Sequence, residues 1–330
     1  MIILGIESSC DETSAAVLAD GTVRSNVIAS QAVHERFGGV VPELASRAHN
    51  QTIWATVKQA LDDAGCRMQD VDAIAVAVGP GLMGSLLVGL GFAKGLALSW
   101  NKPLIGVNHI DAHMYANFIE HEEVYPFVAL IVSGGHTRLV HVREAFHHDV
   151  LGTTRDDAAG EAFDKIGKML DLPYPAGPHI DRLSKQGNPQ FQQFPRAMLS
   201  EGLDFSFSGL KTSVLYYLQK QDAEHIDEHK ADIAASVSAA ITDVLTVKLR
   251  RALRKTGVGH AMLAGGVSAN SMLRQNVQAM ATGEKVELMI PSPEYCTDNG
   301  AMIAKAGELK FRAGQIDTLG LKPFARLPVA

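Results

Sequence analysis

The stretch IILGIESSCDETSAAVL, residues 2–18, is the part of the sequence that decides the fold. An apolar run is followed by small and polar residues and then by a second apolar run, which is the pattern of a β-hairpin with a tight turn. The stretch VALIVSGGHTRLVHV, residues 128–142, repeats this pattern in the middle of the chain. Turns of this kind present backbone N–H groups and hydroxyls, which suit a phosphate or a carboxylate. Two unrelated hairpins would give the same pattern.

Two strand–glycine loop–helix units favour a duplication. Residues 73–77 form an apolar run that leads through the glycine-rich residues 79–85 into a helical pattern. Residues 261–264 lead in the same way through Gly265–Asn270 into a helix. Such units place the amide groups of a helix N-terminus against a ligand, because the glycine loop lets the backbone approach it closely.

This order of elements is typical of the actin, Hsp70 and sugar-kinase superfamily. The resemblance implies an α/β fold of two duplicated ribonuclease-H-like domains with a ligand cleft between them, and it implies no particular reaction. In kinases of this superfamily the first hairpin usually carries an aspartate for metal and phosphate, whereas Glu7 stands near that position here. The sequence therefore argues against a standard kinase.

The domain boundary is placed from the repeated hairpins, because no low-complexity linker divides the chain. We predict an N-terminal actin-like domain over residues 1–124 and a C-terminal one over residues 125–330, with a C-terminal helix in about 297–330 able to pack back onto the first domain. Apolar side chains recur at helical spacing in residues 230–256, which predicts a core helix. Helices are predicted at roughly 47–64, 85–100, 158–170, 208–220, 230–256, 270–281 and 297–313.

Composition indicates a globular protein of a reducing compartment. Hydrophobic residues make up 46% and charged residues 20% of the chain. The three cysteines, Cys10, Cys66 and Cys296, form no disulfide framework, and the N-terminal apolar run lacks a preceding basic region, so we expect a cytoplasmic location. The apolar stretch 86–100 is broken by glycines and is shorter than the roughly 20 residues that a membrane span needs, which predicts a buried helix and no membrane contact.

The net charge of −6 is a mild argument against a nucleic-acid enzyme, because phosphate contacts need lysine and arginine. The sequence also lacks a long basic run. If RNA is the substrate, a local patch or a partner protein must supply part of the binding.

His109 and His113 are candidates for a metal site. If the segment is helical, residues four apart project from one face and can bind one metal ion, although a pair of half-buried or surface histidines is the simpler interpretation. The best third ligand is Asp298, in the string Thr297–Gly300, which by itself is typical of a helix N-cap. A zinc peptidase commonly needs glutamate directly after the first histidine, and Ile110 stands there, with Asp111 the only acid between the histidines.

Three further segments are candidates for ligand contacts. Residues 156–165 are acidic and read as a solvated helix start, yet Gly160 is unfavourable in a helix. Residues 174–181 contain two prolines and predict a rigid loop that could hold a ligand through its backbone. Residues 205–212 predict a loop entering a helix, for which aromatic packing and a serine cap are the alternative.

Taken together, nine strings resemble the TsaD family, the tRNA threonylcarbamoyltransferases of bacteria and mitochondria. They occur in the family's order from residue 5 to beyond residue 300. The strings are Gly5–Thr13, Gly38–Arg47, Gly79–Leu82, Asn108–His113, Val132–Thr137, Asp157–Lys165, Phe205–Thr212, Gly265–Asn270 and Cys296–Ala301.

The resemblance implies a substrate, a metal ion and a set of contacts. The substrate is threonylcarbamoyl-adenylate, and the acceptor is the N6 amine of the adenosine beside the anticodon in tRNAs that read codons beginning with A, with AMP released. ATP or ADP are further possible nucleotide ligands. One divalent ion, iron or zinc, is implied for His109, His113 and Asp298. The phosphate and carbamoyl groups are assigned to Ile131, Val132, Ser133, Gly134 and Gly135, and the nucleotide to Asp164, Gly177, Asp181 and Asn270.

Glu12 and Asp11, in the first hairpin across the cleft, are our candidates for the base that takes the amine proton. The implied partners are tRNA, the shorter actin-like paralogue TsaB and the small ATPase TsaE, although mitochondrial relatives act alone as homodimers. Three alternatives remain open at this stage: the metallopeptidase of the family's former glycoprotease label, an ATP-driven actin-like kinase or chaperone, and a non-catalytic scaffold regulated by nucleotide.

Overall fold

The computed structural model describes residues 1–31, 34, 37 and 39–326. Part of the string at residues 38–47, namely Gly38, lies outside the described residues. The chain forms two compact units, one made of Met1–Glu122 and Pro291–Ala330 and the other of Glu123–Ile290. In chain order the strands are β1 (Ile2–Glu7), β2 (Glu12–Ala19), β3 (Thr22–Ser30), β4 (Ala73–Gly79), β5 (Leu104–Asn108), β6 (Phe127–Val132), β7 (Thr137–Glu144), β8 (His147–Thr153), β9 (His260–Ala264) and β10 (Glu287–Met289).

The α-helices follow the strands along both units. They are α1 (Pro42–Asp63), α2 (Met83–Trp100), α3 (His109–Tyr115), α4 (Ala159–Met169), α5 (Gly177–Ser184), α6 (Ser208–Leu218), α7 (Ala223–Glu228), α8 (Lys230–Thr256), α9 (Ser271–Glu284), α10 (Pro293–Cys296) and α11 (Gly300–Arg312). Single 3-10 turns lie at Met68–Asp70, Ala116–Ile119 and Gly266–Ala269.

Each unit is built on a five-stranded mixed sheet, and the two sheets have the same topology. The first has the order β3-β2-β1-β4-β5 and the second the order β8-β7-β6-β9-β10. In each sheet two antiparallel hairpins are followed by two parallel strands. The predicted duplication and the actin-like fold class are confirmed, whereas the ligand cleft between the domains stays a prediction.

In the first unit, α11 packs directly on the sheet through glycine. A Cβ atom on Gly5 of β1 would lie 2.3 Å from the carbonyl oxygen of Gly300, so both positions need the close approach that glycine allows. This contact brings the segment from Pro291 onward into the first unit. The last helix, Gly300–Arg312, lies within the predicted 297–313.

Helix α2 differs from the fully buried helix that the sequence predicted. It packs against β4 and α1 with Leu86, Leu90 and Ala93. Its opposite face is exposed, with Leu87 at 54% and Leu98 at 70% exposure. Among the described residues, α2 is the one helix that by length and composition could cross a membrane, and a third of its apolar window is buried within the protein.

In the second unit, α8 is the central core helix, as predicted. Ile233, Val237, Ile241 and Leu245 recur on its buried side and pack beneath the sheet with Phe163 of α4. The predicted rigid loop over residues 174–181 is wrong in part, because residues from Gly177 onward form α5. Pro178 stands in the first turn of that helix, where its missing N–H has no intrahelical partner to lose.

Candidate active site

Helix α3 begins directly after β5 and carries two buried histidines. The side chain of Asn108 accepts hydrogen bonds from the N–H groups of Ile110 (2.9 Å) and Asp111 (3.4 Å), which caps the helix start. His109 and His113 therefore lie one turn apart on the same side of α3, and both are buried. The interpretation of this pair as surface histidines is wrong.

Asp298 completes a group of three potential metal ligands. Its Oδ1 atom lies 3.1 Å from Nε2 of His113 and 3.5 Å from Nε2 of His109. One ligand atom from each of the three residues lies within 4.8 Å of the others. The string Thr297–Gly300 is also a helix N-cap, as its residues suggested, and the capping residue is Asn299, which accepts from the N–H of Met302 at 2.9 Å.

Glu7 and Ser9 orient the ring of His109. Nδ1 of His109 lies 3.0 Å from Oε2 of Glu7 and 3.1 Å from Oγ of Ser9. Glu7 is fully buried at the end of β1. A carboxylate that accepts from Nδ1–H leaves the lone pair of Nε2 free for a metal ion, the arrangement common behind metal-bound histidines. In the sequence, Glu7 served only as an argument against a kinase, and its contact with His109 was not predicted.

The charges around His109 suit a divalent cation. Burial lowers the pKa of His109, but the carboxylates of Asp298 and Glu7 outweigh this effect and raise it to about 9. The ring therefore holds a proton where negative charge is concentrated, and a metal ion would replace that proton. Two imidazole nitrogens and one carboxylate oxygen are a usual donor set for zinc and iron. Nδ1 of His113 has no hydrogen-bond partner among the described residues.

Glu12 and Asp11 lie in the same unit as the three potential ligands. Their position across a cleft from Ser133–Gly135, and their role as the base, stay predictions. Burial raises the pKa of Glu12 to about 9, and the charges of Asp298 and Asp11 add to this effect. The hairpin turn and the start of α11 thus bring these carboxyl groups into one electrostatic cluster.

The β6–β7 turn of the second unit presents exposed backbone. The N–H of Ser133 donates to the carbonyl of His136 (2.8 Å), and Gly134 and Gly135 form the exposed tip. The side chains of Ile131 and Val132 are fully buried, so only their backbone is available to a ligand.

Gly160 lies against this turn at the start of α4. Its N–H donates to the carbonyl of Ser133 (3.3 Å), and a Cβ atom would stand 2.5 Å from that oxygen and 2.8 Å from the backbone of Gly134. Close packing is therefore the reason for a glycine that helix propensity disfavours.

We expect Gly160→Ala to lower the free energy of unfolding by about 1–3 kcal/mol, because the added methyl group meets backbone that has to move. Gly209→Ala is the matched control, since Gly209 is likewise the second residue of a helix and a Cβ there meets nothing within 4 Å. Denaturant unfolding of both variants measures the difference. Equal stabilities would contradict the packing explanation.

The four residues assigned to the nucleotide connect helices of the second unit. Asp164 accepts from the N–H of Ala176 (2.8 Å) just before Gly177 starts α5, and burial raises its pKa. Asp181 accepts from the N–H (2.8 Å) and hydroxyl (2.7 Å) of Ser271. Asn270 caps α9. Their contact with a nucleotide stays a prediction.

The acidic segment before α4 has partners within the second unit. Asp156 accepts from the N–H groups of Phe207 and Ser208 and so caps α6, while Asp157 pairs with Lys165 and Lys211. These bonds hold the pKa of both aspartates low despite their partial burial. Both aspartates thus have partners within the protein, although Asp156 is also exposed to solvent.

The fold and this site define an actin-like α/β protein with a group of two histidines and one aspartate in its first unit that could hold a metal ion. Similar solved structures are full-length HypF (TM-score 0.65, 11% identity, 94% of this chain and 46% of that chain) and the Acidaminococcus fermentans (R)-2-hydroxyglutaryl-CoA dehydratase component A (TM-score 0.56, 15% identity, 94% and 96%). A third is the ROK hexokinase of Thermus thermophilus (TM-score 0.50, 15% identity, 95% and 100%). At these identities the likeness shows the fold alone.

Sequence comparison is more specific. The family model described as TsaD, tRNA N6-adenosine threonylcarbamoyltransferase, matches residues 22–305. Proteins named tRNA N6-adenosine threonylcarbamoyltransferase are 55% identical in Salinibacter ruber (99% of this chain, 100% of the relative) and 52% identical in Clostridium beijerinckii (99% and 98%). The chain belongs to the TsaD family.

Proposed function

We propose that the chain transfers the threonylcarbamoyl group of threonylcarbamoyl-AMP to the N6 amine of the adenosine next to the anticodon, in tRNAs that read codons beginning with A, with release of AMP. The observation that carries this proposal is the full-length identity of 55% to a relative named for this activity. The buried ligand set of His109, His113 and Asp298 supports it. The peptidase alternative lacks its general base, since Ile110 follows His109.

A divalent ion, iron or zinc, on His109, His113 and Asp298 would polarise the carbamoyl carbonyl and orient the threonyl group. Glu7 keeps His109 in the tautomer that such an ion needs. The amine nitrogen attacks the carbamoyl carbon, the bond from this carbon to the phosphate oxygen breaks, and AMP leaves with the electron pair. Glu12, assisted by Asp11, accepts the proton that the amine loses.

The second unit supplies the proposed contacts to the adenylate part of the substrate. The backbone N–H groups around Gly134 and Gly135 are exposed at the turn tip and suit the charge that develops on the leaving phosphate. Asp164, Gly177, Asp181 and Asn270 are proposed to contact the ribose and base, and ATP or ADP are proposed to bind at the same residues.

Reconstitution tests this function. Unmodified tRNA is incubated with threonine, bicarbonate, ATP, an adenylate-forming enzyme and this chain, and the nucleosides are analysed by mass spectrometry. We expect threonylcarbamoyladenosine only when the chain is present. Absence of the product with folded, metal-loaded protein and its partners would refute the proposal.

We further propose that the chain works in the cytoplasm with an actin-like paralogue, TsaB, and a small ATPase, TsaE, with a homodimer as the alternative assembly. Two observations support a partner. The net charge of −6 is a poor match for tRNA. The helices α1 and α2 also carry exposed apolar side chains, together called the α1–α2 face, namely Trp54, Met83, Leu87 and Leu98.

The geometry of the α1–α2 face fits a packed helix. Met83, Leu87 and Leu98 fall on one side of α2 by helical spacing. Gly91 and Gly95 lie on that side of α2, and a Cβ atom on either would meet nothing within 4 Å. Glycines let a second helix approach the backbone closely. The counterpart of this face in a paralogue or a second copy is our proposed occupant.

We expect Leu98→Glu to lower partner-stimulated transfer by at least about 10-fold, because a charge on the α1–α2 face would be buried on assembly. Stability is expected to change by less than about 0.5 kcal/mol, since the side chain is exposed. Val150→Glu is the matched control, because Val150 is 46% exposed on β8 of the other unit. Strong transfer by the pure chain without partners, unaffected by Leu98→Glu, would contradict the need for a partner.

A further inference from the structure

The turn between β1 and β2 is held by side chains from two helices. The carbonyl oxygen of Cys10 accepts one hydrogen bond from Nε2 of His49 on α1 (2.9 Å) and another from Oγ of Ser85 on α2 (3.2 Å). A carbonyl oxygen has two lone pairs, so both are engaged. We call this pair of donors, His49 and Ser85, the Cys10 clasp.

The ring of His49 also contacts the other end of the turn. Its Nδ1 atom lies 2.8 Å from Oγ1 of Thr13. Because a carbonyl can only accept, Nε2 carries the proton that binds Cys10, and Nδ1 accepts from the hydroxyl of Thr13. The imidazole therefore joins the residue before Asp11 to the residue after Glu12.

Burial keeps the imidazole of His49 in its neutral form. His49 is fully buried, and burial lowers its pKa against the opposing effects of the Cys10 carbonyl and the Glu7 and Asp11 carboxylates. A neutral imidazole with one donor and one acceptor nitrogen matches its two partners. The two neutral hydrogen bonds of His49, to Cys10 and to Thr13, are therefore not an ion pair; we call them the His49 strut.

Fixing both ends of a two-residue segment limits where its side chains can point. Asp11 and Glu12 lie between Cys10, which is held through its carbonyl, and Thr13, which is held through its hydroxyl near the start of β2, and the charge of Asp298 raises the pKa of Glu12. A displacement of about 1 Å of a catalytic group can cost on the order of 100-fold in rate. Loss of the strut would leave the ligands His109, His113 and Asp298 in place, since none of them contacts it in the hydrogen-bond network described.

We propose that His49 is a positioning residue for the transfer reaction: its imidazole, together with Ser85, fixes the Asp11–Glu12 segment relative to the metal ligands without contacting substrate or metal. This rests on the proposed role of Glu12 and Asp11 in accepting the amine proton. His49 lies 36 residues from Thr13 and 39 residues from Cys10, so only the fold brings the strut to the turn.

The test compares His49→Leu, which removes both hydrogen bonds, with His49→Gln, whose amide retains one donor and one acceptor. The rate constant kcat, the KM for threonylcarbamoyl-AMP, the metal content and the Tm are measured for the chain with its partners. We expect His49→Leu to lower kcat by about 10- to 100-fold, with KM changed by less than about 2-fold and metal content unchanged. His49→Gln is expected to recover kcat to within about 5-fold of the unchanged protein.

Thr56→Val is the matched control. Thr56 is buried on the same helix, and among the described residues its hydroxyl bonds only the carbonyl of Thr52 in that helix (3.0 Å). This substitution removes a buried hydrogen bond but leaves the turn untouched, so kcat is expected to stay within about 2-fold.

Ser85→Ala covers the case in which His49→Leu does not fold. It deletes the weaker donor of the Cys10 clasp, and we expect kcat to fall by about 3- to 10-fold with KM and metal content unchanged.

Unchanged kcat in His49→Leu, or in Ser85→Ala where the former is unfolded, overturns the proposal. So does a loss of kcat that follows metal content or Tm and is not recovered by His49→Gln. Failure of the proposed function looks different, because the unchanged protein would then form no threonylcarbamoyladenosine at all.

Discussion

Replacing His109, His113 or Asp298 by alanine is expected to remove the bound metal ion and to lower threonylcarbamoyl transfer by about 1,000-fold or more. The three ligand atoms lie within 4.8 Å of one another. Removal of any one of them leaves only two of these ligands for the ion, which is too few to hold it. Each alanine also leaves a hole in a buried, charged cluster rather than a new ligand. Metal content measured by mass spectrometry and the yield of modified nucleoside together check this expectation.

A graded control comes from the residue behind His109. Glu7→Gln keeps all three ligands but replaces the carboxylate that lies 3.0 Å from Nδ1 of His109. We expect metal affinity to fall by about 10- to 100-fold, the usual effect of removing such a supporting group, and transfer to recover when the metal concentration is raised. His109→Ala is expected not to recover in this way.

The result that would contradict this account is full transfer by metal-free His109→Ala protein. Retention of biological function in that variant without tRNA modification would instead favour the non-catalytic scaffold. A metal-dependent cleavage of a glycoprotein, abolished in the same variant, would favour the peptidase alternative. These outcomes are measured as tRNA modification, biological function and glycoprotein cleavage, so the same variant distinguishes the three functions.

Whether a feature can be predicted from the sequence depends on how far apart along the chain its contacting residues lie. The duplicated hairpins and the core helix α8 are local patterns with a regular period, and both are predicted correctly. The histidine pair is also local, because its spacing of four residues matches one helical turn. Asp298 lies 185 residues from His113, and no local rule connects them; only the resemblance to a family brought it into the site.

The features that the sequence did not predict also have physical explanations. The contact of Glu7 with His109 joins residues 102 apart, although a charged residue at the end of an otherwise apolar strand was the available signal. The glycine and proline at the start of α5 indicate a loop, because these residues usually mark loops. Proline is, however, also favoured in the first turn of a helix, where Pro178 stands.

Glu12→Gln is expected to lower kcat by about 100- to 10,000-fold while the metal ion stays bound. Glutamine has nearly the same shape but cannot accept the proton that the amine loses. Asp11→Asn is expected to have a smaller effect, because Asp11 acts on the reaction through its charge and its hydrogen bond to Glu12, both of which raise the pKa of Glu12. The measurements are single-turnover rates and metal content for both variants.

The comparison of the two variants decides which carboxyl group accepts the proton. The pKa of Glu12 is raised to about 9 by burial and by its acidic neighbours in the absence of a cation. A divalent ion on Asp298 would offset those charges and favour the carboxylate form that can act as a base. If E12Q keeps the rate of the unchanged protein and D11N does not, Asp11 is the base; if both keep it, the proton goes to a group outside the hairpin, and the strut formed by His49 loses its proposed purpose.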